Sequence, residues 1–486
     1  MNNDNQATTS STHAVVIGGS VAGLMTARVL ADFFSTVTVI ERDILPDKPA
    51  FRRGAPQARH GHALLVRGQQ VMEDLFPGLT EFLLENGTLE LNMGNDIAFH
   101  MNGKRMQPFR STINPIACSR ALMEYGLYNQ LRKNPRVQIR QQCAVEKILT
   151  NSERTRVMGV QFRDRGQSNA TREQLRADLV VDASGRGSDM PKWLEEHGYT
   201  PPNEITVDAK GGYASRIYRR RSFGPDWKMI YSMAEAPHQP RGGLIVPLEA
   251  AGGENSQDGD RWMVSLIGMN GDHPPTDEAG FNQFARSLPI SEIYDLICNA
   301  EPLGEPYGFQ RASNRLREYD KLPRYLEGLL AIGDSVYALN PVYGQGMTVA
   351  ALGVKALQEV LQTHQKRHEL SSVRGVAQEF QKKLARVIAG PWQLATGQDT
   401  RWPIVAAEHN PSFMDKLMQR YFDNVIQTLV DDPVVAESFF HVQNMLKEPT
   451  TLFHLKIMWR VWQHRRQQEP DQYEPSVNLN FPALSD

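Results

Sequence analysis

Cysteine is scarce in this chain, with three in 486 residues, at Cys118, Cys143 and Cys298. An odd count with no C-x-x-C excludes a disulfide framework and offers no metal-ligand spacing. The three are expected as buried thiols of a reducing cytosol, and no metal site is assigned. Long apolar runs are missing too, and none approaches the roughly 20 residues a helix needs to cross a bilayer. Neither sign of charge is in excess, with 53 Lys and Arg against 55 Asp and Glu, which argues against a nucleic-acid partner. Met1 to Thr12 lacks the basic and apolar regions of a signal peptide and is expected as a disordered tail. What remains is a chain without repeats, long enough for about three domain-sized units around a large core, with an expected cytoplasmic location.

Three short patches stand out from that background. Val15-Val16-Ile17-Gly18-Gly19-Ser20-Val21-Ala22-Gly23-Leu24 reads as a buried strand, a tight turn and a helix. Gly18 permits the turn and Gly23 lets the helix pack closely, leaving the helix N-terminus free for a pyrophosphate. Ser20 stands where the G-x-G-x-x-G pattern has its middle glycine. A second strand, Thr36 to Ile40, ends at Glu41 and Arg42, and a carboxylate there accepts ribose hydroxyls. Alone, this patch fits NAD, FAD or a plain βαβ turn. The second patch, Leu179-Val180-Val181-Asp182-Ala183-Ser184-Gly185-Arg186-Gly187-Ser188, is a strand ending in an acid with glycines after it. The third runs from Leu329-Leu330-Ala331-Ile332-Gly333-Asp334 to Pro341-Val342-Tyr343-Gly344-Gln345-Gly346-Met347-Thr348. Asp334 suits a ribityl hydroxyl. The amides of Gly346, Met347 and Thr348, opening a helix, suit a flavin N1–C2=O, where the dipole favours the charge of reduced flavin. In this order the patches select FAD, with Asp182 and Gly185 in the expected cofactor set.

The same order resembles the group A flavoprotein monooxygenases, the family of p-hydroxybenzoate hydroxylase, over roughly residues 12 to 400. Within it, Gly346-Met347-Thr348-Val349-Ala350-Ala351-Leu352, the stretch Arg52-Arg53-Gly54-Ala55-Pro56-Gln57-Ala58-Arg59-His60-Gly61-His62-Ala63-Leu64-Leu65 and Asp182 to Ser188 are similar to segments of the squalene monooxygenase and bacterial polyether epoxidase branch. The resemblance implies that Arg120 reaches the FAD pyrophosphate or ribose and that Val145 meets the adenine through its backbone. It also implies that Pro341, Gly344 and Gly346 approach the flavin ring. The family's middle motif, D-G-x-x-S, serves both FAD and the nicotinamide cofactor. Here Ser184-Gly185 loses the Asp, so NAD(P)H or a separate flavin reductase is the electron source.

The expected fold is α/β: a Rossmann-like FAD-binding domain, an inserted β-sheet substrate domain and a helical C-terminal region. The chain divides into a tail 1–12, FAD-binding residues 13–199, a substrate-binding sheet 200–325, FAD-binding residues 326–371, helices 372–466 and a polar tail 467–486. Strands at 213–218, 228–233, 243–247 and 262–269 are expected to roof the flavin. Alternation places Trp262, Val264 and Leu266 on one face as the candidate pocket column, with Met263, Ser265 and Ile267 on the other. Residues 251–260 read as a flexible hairpin loop.

The expected reaction is insertion of one oxygen atom from O2, through a flavin C4a-hydroperoxide, into a small lipophilic substrate. Epoxidation of an alkene in a polyketide or terpenoid is preferred, because no side chain announces itself as the base a phenol needs. No catalytic side chain is assigned, since the flavin carries the chemistry. The alternatives are an aromatic hydroxylase, a prenyl or alkene reductase, a flavin halogenase (whose W-x-W-x-I-P is missing) and a non-catalytic FAD-binding scaffold. Three tempting features have plainer readings. His60-Gly61-His62 reads as loop rather than metal pair. Arg219-Arg220-Arg221 reads as a solvated edge rather than a phosphate site. The segment with Leu452, Leu455, Trp459 and Trp462, flanked by Lys456, Arg460, Arg465 and Arg466, reads as core packing in preference to a substrate lid or peripheral membrane contact.

Overall fold

The computed structural model describes residues 12–62, 64–101, 103–166, 171–219, 226–249, 261–310, 312–367, 373–407 and 412–467. The expected loop 251–260, most of both tails and Arg220-Arg221 lie outside them.

Short β-branched runs build the centre. Leu329–Ala331, Leu179–Asp182, His13–Ile17, Thr36–Ile40 and Val137–Arg140 lie side by side in that order as a parallel sheet. Both faces are covered, which is why Val15, Val16, Val37, Val39, Val180 and Val181 are all fully buried. The helix Val21–Leu30 follows the first strand and packs against the helix Gly346–Arg367. Gly18 turns the chain between strand and helix at φ +104°, where an added Cβ would lie 2.6 Å from the Ala183 carbonyl oxygen. At Gly23 a Cβ would lie 1.9 Å from the Gly18 carbonyl oxygen, so only glycine lets this helix sit so close. This is the expected α/β arrangement.

The second sheet has seven strands, ordered Tyr307–Phe309, Gly212–Arg219, Arg261–Gly268, Arg241–Leu248, Met229–Ser232, Ile97–Met101 and Lys104–Arg105. Four of them are the strands expected between 200 and 325. The last two come from outside the expected 200–325 segment: Ile97–Met101 and Lys104–Arg105 join this sheet and not the first. Ile97–Met101 joins through a parallel ladder to Met229–Ser232, a long-range pairing that local patterning does not announce.

One face of this sheet carries Ala214, Tyr218, Ile230, Ile245, Trp262, Val264 and Leu266. The helices Glu278–Arg286 and Glu292–Ile297 seal it with Phe281, Phe284, Ile293 and Ile297. The opposite face, with Tyr213, Ser215, Tyr231, Leu244, Ser265 and Ile267, turns toward the first half of the molecule.

C-terminal helices Phe413–Leu429, Pro433–Gln443 and Leu455–Gln467 pack on the edge of the seven-stranded sheet through Val425, Val435, Phe440, Ile457 and Val461. Leu452 is buried as expected, but Leu455 is 85% exposed, Trp459 55% and Trp462 48%. Core packing is therefore corrected for these three. Ile457 and Val461, four residues apart, face the core, and the two tryptophans lie on the outer side of the same helix. Cys118 and Cys143 are buried, while Cys298, just past the helix Glu292–Ile297, is exposed, against the expectation. No described helix is long and apolar enough to cross a membrane.

Candidate flavin and substrate site

The turn after the first strand gathers charge. Ser20 opens the helix Val21–Leu30 but does not cap it, because its Oγ donates to Glu124 Oε1 at 2.6 Å. The first-turn amides are thus left without a side-chain partner, the condition in which a helix end favours an anion. Arg120, at the start of the helix Arg120–Leu131, donates to Ser20 Oγ at 3.0 Å and pairs with Glu124, also at 3.0 Å. Arg52 lies 3.3 Å from Glu124, 3.5 Å from Glu41 and 3.6 Å from Asp43. Glu124 is buried, which raises a carboxyl pKa, yet Arg120, Arg52 and the Ser20 hydroxyl pull it below the ordinary range. Gly18, Ser20, Gly23, Glu41 and Arg120 therefore come together as expected. Arg52 and Glu124 were missed, because they meet each other across 72 residues and Glu124 meets Ser20 across 104.

Glu41 is itself buried and accepts from the amides of Gly19 (2.5 Å) and Asp43 (2.9 Å). Arg42 is exposed beside it, lining a cavity of about 420 Å³ with Asp43, Arg53, Gly54, Gln142 and Arg165. The strand Cys143–Thr150, which carries Val145, begins where the Cys143 amide donates to the Glu41 carbonyl.

Asp182 needs correction. Its carboxylate is fully buried and accepts from the Ser184 amide and from the hydroxyls of Ser184, Ser188 and Ser335. Burial pushes its pKa up against those four bonds. It ties the turn together rather than facing a ligand. Gly185 gives its amide to Ser335 at φ +86°. Asp334 behaves differently: it is half-buried, and its carboxylate takes no hydrogen bond from the described residues.

The segment Asn340 to Gly346 leads into the 22-residue helix Gly346–Arg367. Pro341 is exposed, Gly344 turns at φ +66° and Met347 is buried. The segment is braced from behind by Asp399, which accepts from Asn314 Nδ2 (2.6 Å), Asn340 Nδ2 (3.0 Å) and Tyr343 Oη (2.6 Å). Burial pushes Asp399 up to about 6 despite these three donors. From the sheet, Tyr213 Oη donates to Asn340 Oδ1 (3.1 Å) and Tyr231 Oη to the Val342 carbonyl (3.4 Å). The stretch after Arg52 returns over the same face, where the Gly61 amide donates to Ser265 Oγ.

The pocket column is the second correction. Trp262, Val264 and Leu266 lie under the two helices at 278–297, so the opposite column, with Ser265 and Ile267, faces the Asn340–Gly346 segment. Both columns are apolar enough for a core, and alternation alone cannot say which is sealed.

The residues present fit FAD. The uncapped first-turn amides beside Arg52 and Arg120 suit a pyrophosphate, and the unpartnered Asp334 carboxylate suits a hydroxylated chain. A Cβ added at Gly346 would meet nothing within 4 Å, so the mouth of the long helix faces open space.

No protein-family model matches the chain. It is 32% identical over 462 residues to Protein Rv3254 of Mycobacterium tuberculosis, covering 93% of each chain. Among solved structures it is similar to the myxobacterial chondrochloren halogenase CndH, with TM-score 0.60 and 16% identity over 89% of this chain and 97% of that one. It is also similar to PqsL, a probable FAD-dependent monooxygenase from Pseudomonas aeruginosa, with TM-score 0.57 and 15% identity over 80% of this chain and 98% of that one. At such identities the likeness establishes the fold. The chain belongs to the family of Protein Rv3254 and is built on the fold of the FAD-dependent monooxygenases and halogenases.

Proposed function

We propose that this protein binds FAD and transfers one oxygen atom from O2 to a lipophilic substrate, with an alkene as the favoured acceptor and an epoxide as the product. What supports the alkene reading is the enclosure of the titratable side chains on the site-facing side of the sheet, where His60 and Asp399 are both buried. Burial and the Arg59 charge push the His60 imidazole down to about 4, and burial pushes Tyr231 up to about 12. Asp399 is near 6 but closed off behind Asn340 and Tyr343. None of these offers an accessible base for a phenol, whereas an alkene needs none.

The chemistry the flavin supplies when bound is reduction of O2 and transfer of one oxygen atom. The amides after Ser20, with Arg52 and Arg120, hold the pyrophosphate. Glu41 takes the ribose and Asp334 the ribityl chain. The amides of Gly346 to Thr348, at the N-terminus of a long helix whose dipole favours negative charge, would hold the flavin ring's polar edge. Asp399, Asn314 and Tyr343 keep Asn340 to Gly346 in place, and the sheet excludes water from the other side. Reductant comes from NAD(P)H or a separate reductase.

Purified protein should be yellow, and Asp334→Ala should lower FAD occupancy at least tenfold. Incubation of a lipophilic alkene library with reductant under 18O2 should label products by one oxygen atom. Colourless protein that ignores added FAD overturns the reading. Labelling confined to phenols replaces epoxidation with hydroxylation, and halogenated products in the presence of halide replace it with halogenation.

A further inference from the structure

We propose that His60 donates a hydrogen bond, through Nε2, to a carbonyl or ether oxygen of an apolar ligand held among Tyr213, Tyr307 and Phe309. The proposal rests on the preceding reading of this face as the substrate side and adds the polar handle by which a substrate is oriented. His60 is 7% exposed, and its Nε2 is buried with no partner among the described residues. The other ring nitrogen is occupied: Nδ1 lies 2.8 Å from Ser215 Oγ, which lies 2.6 Å from Ser265 Oγ, which accepts from the Gly61 amide at 3.0 Å.

The direction of this chain follows from its fixed end. A backbone N–H is always a donor, so Ser265 accepts at Gly61 and still has one proton to place. Given to Ser215, that proton lets Ser215 pass its own to Nδ1, and every hydroxyl is satisfied. Run the other way, the Ser265 proton has no acceptor among the described residues, and both serines are buried. A stranded buried donor is costly and rare. Nδ1 is therefore the acceptor and Nε2 carries the ring proton. Burial first and the Arg59 charge second keep the ring neutral, with its pKa near 4. The group presented is thus an uncharged N–H donor across the ordinary pH range.

Its surroundings are apolar. The rings of Tyr213, Tyr307 and Phe309 centre 6.0, 5.7 and 5.5 Å from the imidazole. An N–H facing a ring gains only a weak contact. Tyr307 remains 37% exposed, with the Arg59 guanidinium 5.0 Å from its ring, so this is the side from which a ligand would enter by displacing side chains. The cage is continuous with the braced segment, because Tyr213 bonds Asn340 and Val342 packs in one cluster with Tyr213 and Phe309. Apolar pockets with one or two placed polar groups are the usual form of a small-molecule site.

The test uses full-length protein as purified, with geranylacetone and the same isoprenoid chain lacking the carbonyl as probes. Calorimetric titration should show the ketone bound about tenfold tighter than the hydrocarbon, and His60→Phe should equalise the two. Histidine 15N spectra of wild-type protein should place the proton on Nε2, and Ser215→Ala, which removes the donor to Nδ1, should produce a tautomer mixture and a smaller preference. A proton on Nδ1 in the wild type, equal affinities in the wild type, a preference that survives in His60→Phe, or no saturable binding of either probe each overturns the proposal. Flavin absorbance of the same samples reports separately on FAD, so colourless protein with the ketone preference intact would remove the flavin reading alone.

Discussion

Two faces of the seven-stranded sheet are made from the same alternating strands and have opposite contents. Toward the helices at 278–297 lie Ala214, Ile230, Ile245, Val264 and Leu266, packed on Phe281, Phe284 and Ile293. Toward the half built on the five-stranded parallel sheet lie Ser215 and Ser265 with His60, and Tyr213 and Tyr231 bonded to Asn340 and Val342. The sealed face also carries Tyr218 and Arg216, but the Tyr218 hydroxyl is buried with no well-formed hydrogen bond to a described residue, and burying a hydroxyl in that way costs free energy. Buried polar side chains in a connected set therefore mark the side where something other than core packing is served. The bulk of an apolar column carries no such information.

The sharpest way to break this comparison is to cut into both faces and see what fails. Leu266→Ala on the sealed face removes a fully buried side chain and should cost about 2–5 kcal/mol in denaturant unfolding. The folded fraction should keep a wild-type flavin spectrum. A large spectral change with little loss of stability would mean that the sealed face, and not the polar one, meets the cofactor.

The next effect is pH-dependent and belongs to the polar side alone. Asp399 has its pKa raised from 3.8 to about 6, by burial against the bonds from Tyr343, Asn340 and Asn314, with Asp208 adding to the rise. The folded state then binds more protons than the unfolded state between about pH 4 and 6, so this group makes stability fall as pH rises through that window. The full swing is about 2–3 kcal/mol. Tyr213 and Tyr231 are pushed upward and stay protonated throughout, as does Tyr343, so they add no slope there. Asp399→Asn should flatten unfolding free energy against pH in that window, relative to wild type. An unchanged slope would place its origin elsewhere.

What could be read in advance divides along the same line. The strand, turn and helix around Gly18 and Gly23, and the strand end at Glu41, were legible because their determinants are local: β-branched runs, glycine sterics and a fixed spacing. The placement of Asp334 just past a buried strand was legible for the same reason. Asp182 matches the same pattern as Asp334 yet turns inward onto Ser184, Ser188 and Ser335, and nothing in a strand-end acid separates the two outcomes. Glu124, Arg52, Asp399 and the role of His60 depend on partners brought in by the tertiary fold. His60 meets Ser215 across 155 residues and Asp399 meets Asn340 across 59. The choice between the Trp262 and Met263 columns failed because both alternate correctly. The recruitment of Ile97–Met101 into the distant sheet has no local signal at all.

The smallest expected effect is also the closest comparison, because it uses one residue type on one strand. Tyr213 and Tyr218 both lie on Gly212–Arg219, on opposite faces, and both are buried. The Tyr213 hydroxyl donates to Asn340 Oδ1 at 3.1 Å. That of Tyr218 lies near the Arg216 guanidinium but makes no well-formed hydrogen bond with a described residue. Removing a hydroxyl that is bonded should cost about 1 kcal/mol, whereas removing one that is buried and unsatisfied should be close to neutral. Tyr213→Phe should therefore lose about 1 kcal/mol in chemical denaturation and shift the visible flavin bands, because Asn340 loses its tie to the sheet. Tyr218→Phe should leave both unchanged. Equal costs for the two variants would mean that the hydroxyls of the inner face are incidental, and the distinction between the faces would then rest on packing alone.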